Sequence, residues 1–213
     1  METLMSYMAA FGLATGAGAK AFIPILALGA FHYTPYFELT GRFTWIADPL
    51  VMGILGVLVV IEIVVDSHPD LGRFSDIVSY LPKIVAGFIG FAAVTGQLDS
   101  NLAQLGASGV FGAGTAAGVH WLRNKVRQPF RDFAEDTHES AGKVASLTEA
   151  GASASLAGTA VVVPPVSMAL ALLMVGGSVV VAQRAAARRA PCRHCGKPIR
   201  PGALVCLHCK AEQ

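Results

Sequence analysis

The sequence has little charge and few cysteines. Charged residues make up 14% of the 213 residues, against roughly 25% in an ordinary soluble chain, whereas apolar residues make up 54%. The low charge excludes a disordered chain. The four cysteines all lie in the last 22 residues, which excludes a disulfide scaffold. The long apolar blocks and the 23 glycines therefore predict an integral membrane protein with a small soluble tail.

Basic residues are scarce near the start of the chain. Of the 16 Lys and Arg residues, only Lys20 and Arg42 precede Arg73. Because no basic segment precedes the first apolar stretch, we expect that stretch to be retained as a span and not removed as a signal peptide.

Five apolar regions predict the membrane spans. Four of them reach the roughly 20 residues that a membrane helix needs: 8–30, 49–66, 80–97 and 103–122. The fifth, 144–183, is too long for one pass and is interrupted by Pro164 and Pro165. It predicts either one span at 159–182 or a hairpin of two spans, 144–163 and 166–183.

The distribution of basic residues favours the hairpin. Cytoplasmic loops carry the excess of Lys and Arg. The hairpin places 14 of the 16 basic residues on one side, with Arg42 on the other side and Lys20 within a span. We therefore predict an all-α membrane protein, a six-span helical bundle with its N- and C-termini cytoplasmic.

Two similar segments suggest an internal repeat. The Gly16–Gly18 cluster in the first span resembles the Gly112–Gly114 cluster in the fourth. The membrane domain then divides into two three-span halves, 1–100 and 101–190, followed by a tail domain, 191–213. Successive halves of three spans are inverted relative to each other, as in many secondary transporters. Pro24 also indicates a broken first helix.

Ionisable residues in the predicted spans are candidates for a transport pathway, because burying them in lipid is costly. They are Lys20, Glu62, Asp66, His120 and Glu149. The alternative is that Glu62 and Asp66 lie at the membrane interface and that Lys20 is an isolated charge. Arg123, Lys125 and Arg127 follow the fourth span and are candidates for contact with lipid headgroups.

Several segments that contain these residues are similar to those of a known protein family. The relevant segments are Gly16 to Pro24, Glu62 with Asp66 and Pro69, His120 with Arg123 and Arg127, and Ser146 with Glu149. From Gly16 to about Gln183 the chain resembles the bacterial integral-membrane family catalogued as domain of unknown function 4126. The resemblance implies a multi-pass protein of the bacterial inner (cytoplasmic) membrane. It implies no activity.

The tail carries two Cys-x-x-Cys pairs. Cys192 and Cys195 form the first pair, and Cys206 and Cys209 the second. Four thiolates at this spacing predict a tetrahedral zinc site, and the site is structural because no coordination position stays open. A segment this short builds no core, so we expect metal binding to supply its folding free energy.

Three classes of function remain open. The first, which we favour because charges lie within the predicted spans, is a small transporter or channel-like protein for an ion, small solute or lipid. The second is a scaffold or adaptor that presents the zinc ribbon to a cytoplasmic protein. The third, an enzyme, is not expected, because no nucleophile–base pair or open metal site is evident. We expect the lipid bilayer as a partner and do not expect nucleic acid; a homo-oligomer stays open. A polar cavity at Lys20 and Glu62 would favour transport, whereas a packed dry bundle would favour a scaffold.

Overall fold

The structure is a computed structural model that describes residues 2–39, 41–67, 77–96, 102–134, 140–199, 205–206 and 208–212. Pro69 and Arg73 lie outside the described residues. The α-helices are α1 (Glu2–Ala19), α2 (Phe22–His32), α3 (Pro49–Ser67), α4 (Tyr80–Thr95), α5 (Leu102–Ala134), α6 (Ser140–Val162) and α7 (Pro164–Ala187). A 3₁₀ helix covers Gly41–Ala47, and the tail holds strands β1 (Ala190–Pro191) and β2 (Pro198–Ile199).

Local sequence explains two of the helix starts. The Asp48 carboxylate accepts hydrogen bonds from the backbone N–H groups of Leu50 and Val51 at 2.8 and 3.3 Å, which caps α3. Pro49 and Pro164 occupy first positions of α3 and α7, where a helix needs no N–H donor.

The predicted first span is two helices that run in opposite directions. A Cβ placed on Gly16 would lie 3.2 Å from Cγ of Pro24. Residues eight apart in one continuous helix are separated by about 12 Å along the axis, so the chain must turn back at Lys20 and Ala21. The indicated break is confirmed, but the prediction that 8–30 forms one continuous span is wrong.

The predicted hairpin after residue 140 is present. Ser167 of α7 donates a hydrogen bond to the carbonyl of Leu156 of α6 at 2.9 Å. Farther from the turn, Thr148 of α6 and Ser178 of α7 line one cleft between the two helices. Both observations require the chain to reverse at Val163, between the end of α6 and the start of α7. The alternative of a single helix at 159–182 is therefore wrong.

Contacts between helices give their directions. A Cβ on Gly12 would lie 3.5 Å from that of Ala160, and one on Gly16 would lie 3.4 Å from Oγ of Ser153, so α1 and α6 are antiparallel. Since α7 reverses the direction of α6, it runs parallel to α1.

We name the two ends of the bundle by their contents. The network end contains the turn after α1, the end of α3 and the start of α4; the opposite end contains the start of α1 and the turn between α6 and α7. The start of α1 and the end of α7 consequently lie at opposite ends. This overturns the prediction of both termini on one side, because the hairpin of α1 and α2 adds one reversal.

The core is built from small residues on the central helix α1. Ala10, Ala14 and Ala17 are fully buried, and α1 packs against α4, α5, α6 and α7. Small side chains let helix backbones approach closely. The two predicted halves differ in structure, since α1 and α2 stand where the second half has the continuous helix α5. The inverted repeat therefore stays a prediction.

Two helices are long and apolar enough to cross a membrane. They are Pro49–Ser67 and Pro164–Ala187, and in each of them only 11% of an apolar 18-residue stretch is buried inside the bundle. Helices α2 and α4 are apolar but shorter. The exposed apolar faces of α3 and α7 agree with association with a membrane, and the six-span bundle stays a prediction.

Candidate functional site

Ionisable side chains from four helices and from the turn between α1 and α2 meet near the network end. We call them the buried charge network: Lys20, Glu62, Asp66, Lys83, His120, Arg123, Arg127 and Glu149. All five residues predicted as pathway candidates belong to it. Tertiary folding brings them together from positions up to 129 residues apart, from Lys20 to Glu149.

Lys20 lies at the turn of the α1–α2 hairpin and is fully buried. Its Nζ lies 2.6 Å from Oδ2 of Asp66 and donates to Oγ of Ser146 at 3.0 Å. Ser146 in turn donates to the carbonyl of Ile63 at 3.1 Å, which ties α6 to α3. Lys20 is therefore enclosed and paired within the described part of the chain, and it lines neither of the two clefts described below.

The backbone at the helix break is satisfied by side chains from other helices. The N–H of Ala21 donates to Oε1 of Glu62 at 3.0 Å. The carbonyl of Gly16 keeps its helical hydrogen bond from the N–H of Lys20 at 2.9 Å and also accepts from Ser153 at 3.0 Å. Backbone groups released from a helix in an apolar environment need such partners. Glu62 and Ser153 consequently stabilise the turn.

Arg123 links the carboxylates of Asp66 and Glu149. Its Nη2 lies 2.5 Å from Oδ2 of Asp66 and 2.7 Å from Oε2 of Glu149, and its Nε donates to the same Oε2 at 2.9 Å. Arg127 approaches Oε1 of Glu149 with its Nε at 2.8 Å. The fork of an arginine suits such double pairing because several N–H groups point in fixed directions.

Lys83 and His120 form the other branch. Lys83 Nζ lies 3.0 Å from Nδ1 of His120 and 3.9 Å from Oε1 of Glu62. A neutral imidazole that accepts at Nδ1 carries its proton on Nε2, and Nδ2 of Asn124, which is also a donor, lies 3.3 Å from this nitrogen. A hydrogen bond there requires the Asn124 amide to be rotated so that Oδ1 faces Nε2. The ring of Tyr80 packs edge-on against this imidazole at 4.4 Å.

The network holds more cations than carboxylates. Lys20, Lys83, Arg123 and Arg127 face Glu62, Asp66 and Glu149, so with all seven ionised and His120 neutral these described side chains carry a net charge of +1. Buried charge is costly unless it is compensated. Asp66, His120, Arg123 and Arg127 each make further contacts besides these pairs.

Two clefts reach the network from different faces. The first, of about 250 Å³, lies between α5, α6 and α7 and is lined by Arg123, Arg127 and Glu149 together with apolar and small residues. The second, of about 170 Å³, lies between α2, α3 and α4 and is lined by Glu62 among mostly apolar side chains. Both lie near the network end.

The three headgroup candidates have different environments. Arg123 and Arg127 are each 7% exposed and pair with carboxylates, whereas Lys125 is exposed and places Nζ 5.5 Å from the centre of the Trp121 ring. Their contact with lipid headgroups stays a prediction.

The sequence reading missed two members of this site. Lys83 is one of the 14 basic residues that the charge distribution assigned to the cytoplasmic side, although it lies in the first turn of an apolar helix. The rule that singled out Lys20 applies to it too. Ser146 entered only through the family resemblance, and no sequence signal placed its hydroxyl against Lys20.

The four predicted cysteine ligands converge in the tail. Their sulfur atoms all lie within 4.8 Å of one another, with 3.6 Å between Cys192 and Cys209 and 3.7 Å between Cys195 and Cys206. A tetrahedral site with metal–sulfur bonds of about 2.3 Å needs sulfur atoms about 3.8 Å apart, so the cluster fits a metal ion.

Backbone geometry prepares both cysteine pairs for a metal. Gly196 and Lys210, each following the second cysteine of a pair, have φ of +69° and +55° and donate to the carbonyls of Cys192 and Cys206 at 2.9 and 2.7 Å. The N–H groups of Cys195 and His194 donate to the sulfur of Cys192 and lower the pKa of that thiol to about 5. Desolvation and the neighbouring cysteine sulfurs raise the pKa of Cys209 to about 12, so in the absence of a metal the four thiols do not all ionise together. Thiolate is the form that binds metal.

Comparison with known proteins identifies a family and no characterised relative. No curated protein and no solved structure matches the chain. The family described as "Domain of unknown function (DUF4126)" matches residues 7–184. This match covers most of the chain and ends before the cysteine cluster, and the chain therefore belongs to this family of unknown function.

Proposed function

We propose that this protein is a membrane-embedded scaffold that holds a zinc ribbon at the cytoplasmic face for a protein partner. The observation that carries the proposal is the enclosure of Lys20 by Asp66 and Ser146. Toward the opposite end the core is apolar, with Leu13 and Phe91 almost fully buried. A tightly paired, dry bundle is expected of a scaffold, whereas a transport pathway would bring water to such charges.

The proposed setting is the bacterial cytoplasmic membrane, with several helices crossing it. In the sequence, 15 of the 16 basic residues, all except Arg42, belong to the network end, to segments that join helices there, or to the tail. By the charge rule the network end then faces the cytoplasm. This orientation places the tail inside the cell and the start of α1 outside.

The proposed cofactor is a structural zinc ion held by Cys192, Cys195, Cys206 and Cys209. Zinc fits because four thiolates form a closed tetrahedral set. Since the set leaves no position for water, we propose no enzymatic activity. The nearby arginines serve membrane orientation, so we propose a protein and not a nucleic acid as the partner of the ribbon.

Crosslinking in living cells tests the scaffold role. A photo-reactive amino acid at the exposed residue Lys197 should give discrete adducts with another protein. Cys192→Ser should abolish these adducts while the protein still fractionates with the membrane, because only the ribbon unfolds. A second photo-reactive probe at the exposed Tyr36, far along the chain from the ribbon, is the control and should give the same products with and without Cys192→Ser. Adducts at Lys197 that persist in Cys192→Ser would refute a partner bound by the folded ribbon.

Transport is the second candidate, and one observation favours it. Oε2 of Glu62 is buried and has no hydrogen-bond partner among the described residues, and Glu62 lines the cleft between α2, α3 and α4. The break after α1 also resembles the interrupted helices at transporter sites.

Flux measurements separate this candidate from the scaffold. Purified protein in liposomes should carry a proton or small-ion current that Glu62→Gln reduces, if transport is the function. A current equal to that of empty liposomes across protons, halides and alkali cations would count against transport and leave the scaffold role intact.

A further inference from the structure

The cleft between α2, α3 and α4 has an apolar wall that contains one carboxyl group. One face of α3 supplies four of its lining residues, at positions i, i+3, i+4 and i+7: Leu58, Ile61, Glu62 and Val65. Phe22, Val78 and Pro82 add apolar side chains from the start of α2 and from residues 78–82. Glu62 therefore takes the place of an apolar residue in a wall that suits an apolar occupant.

Only one oxygen of Glu62 is engaged. Oε1 accepts from the backbone N–H of Ala21 at 3.0 Å and lies 3.9 Å from Nζ of Lys83. Oε2 is buried and has no hydrogen-bond partner in the described part of the chain, and the side chain is 8% exposed. Native folds rarely leave a buried acceptor without a donor. We therefore expect an occupant of this cleft to bring a donor to Oε2.

The contact between Glu62 and Lys83 indicates that this donor is uncharged. Lys83 is fully buried and already stands beside the carboxyl group as its cation. A second ammonium group in the cleft would lose its water next to the first, and desolvating a charge is costly. A hydroxyl group satisfies Oε2 without adding a charge, whatever the net charge of the whole network.

The lining residues show where the cleft reaches the surface. Ile61 and Val78 belong to different walls and are 50% and 52% exposed, so the cleft opens between them. A water molecule needs two to four polar partners, and Glu62 and Ser79 are the only polar residues among those that line the cleft. An apolar body attached to the hydroxyl group would instead cover the exposed parts of Ile61 and Val78.

We propose that this cleft binds the hydroxyl end of an uncharged long-chain alcohol, whose O–H donates to Oε2 of Glu62. The volume of about 170 Å³ resembles that of apolar cavities of about 150 Å³ that accept benzene, so about six carbon atoms fit against Phe22 and Leu58. The rest of a longer chain leaves the cleft between Ile61 and Val78. The inference rests on neither the scaffold role nor the transport role.

Photolabelling of the full chain, purified in a mild detergent, tests the site. The probe is octan-1-ol that carries a diazirine on its alkyl chain, and mass spectrometry identifies the labelled residues. We expect label on Phe22 or Val78. Unlabelled octan-1-ol should prevent this labelling at roughly one tenth of the mole fraction in the micelles that octyl methyl ether requires. The ether lacks the donor, and a tenfold factor corresponds to one hydrogen bond to a charged acceptor.

Glu62→Gln changes the acceptor into a donor. Its carbonyl oxygen can keep the contact with Ala21, and its NH₂ group then stands where Oε2 was. The alcohol and the ether can both accept from this group, so the ratio between them should fall to about one.

A second pair of variants tests the cleft without altering any charge. Ile61→Trp fills the opening and should abolish the labelling. Val60→Trp is the matched control, because Val60 is the neighbouring residue of α3, is 60% exposed and does not line the cleft. Both variants should unfold at the wild-type midpoint.

Equal protection of the wild type by octan-1-ol and octyl methyl ether would overturn the proposal, as would an unchanged ratio in Glu62→Gln. Label that avoids the lining residues, or that Val60→Trp abolishes as Ile61→Trp does, would mark the outer face of α3 and not the cleft. Stronger protection by octylammonium than by octan-1-ol would overturn the uncharged class of ligand.

Discussion

The ion pair between Lys20 and Asp66 should hold the α1–α2 hairpin in the bundle, and removing Asp66 should be the most damaging single change in the network. Asp66 contacts both Lys20 and Arg123. Asp66→Asn leaves these two buried cations without a shared counter-ion and raises the net charge of the network from +1 to +2. Removing one partner of a buried pair costs about 3–5 kcal/mol, and we expect a value in this range.

Lys20→Met should cost less, about 1–3 kcal/mol. It removes the donor to Asp66 and Ser146, but it lowers the net charge of the network to zero, and Asp66 keeps its contact with Arg123. In the Asp66→Asn background the same change removes a cation that has lost its carboxylate. We therefore expect Lys20→Met to be nearly neutral there, with a coupling energy of about 1–3 kcal/mol.

Unfolding in mixed detergent micelles, followed by far-UV circular dichroism for the wild type, both single variants and the double variant, gives the required four free energies. Arg42→Met is the matched control, since it removes an exposed cation near the other end of the bundle. Its effect should add to that of Asp66→Asn within about 0.5 kcal/mol. Additive effects of Lys20→Met and Asp66→Asn, or a larger loss for Lys20→Met than for Asp66→Asn, would refute the reasoning.

Three further predictions follow from packing, metal binding and topology. Gly87→Ala should destabilise the bundle by about 1–3 kcal/mol, because the new Cβ would lie 2.5 Å from Cβ of Ala116 and 2.6 Å from the carbonyl oxygen of Gly112 on α5. The control is Gly114→Ala, whose Cβ would meet nothing within 4 Å and should have little effect on the same unfolding curve. Metal analysis should find one zinc per chain. Either a chelator or Cys192→Ser should remove this zinc and unfold the ribbon, and neither should change the helical signal of the bundle. A cysteine at Thr3 should react with an impermeant thiol reagent in intact cells, and one at Ala187 only after permeabilisation; protection at Thr3 would contradict the opposite placement of the two ends.

Much of the helical content follows from local sequence. Apolar runs bounded by polar segments predicted α3 and α4 within a few residues, and Pro164 marked the turn between α6 and α7. The four cysteines could also be assigned as one cluster, because two Cys-x-x-Cys pairs have few other uses. These features depend on neighbours along the chain.

Pro24 indicated a break in the first span, but the reversal of α2 against α1 could not be read in this way. The segment from Gly16 to Ala21 consists of residues with small, apolar side chains apart from Lys20, so its composition suits one long helix. The turn is stabilised because Glu62, 41 residues away, accepts from the released N–H of Ala21, and because Ser153, 137 residues away, adds a second hydrogen bond to the carbonyl of Gly16. The error in the first span then carried over to the relative position of the chain ends.

The sequence by itself determined that this protein is helical and apolar and that its four cysteines gather into one cluster, because these properties depend on composition and short spacing. Only the tertiary structure decided that Lys20 pairs with Asp66, that Arg123 joins two carboxylates and that α1 turns back at residue 20. A buried charge is tolerated only where partners converge, and convergence is set by how the helices pack.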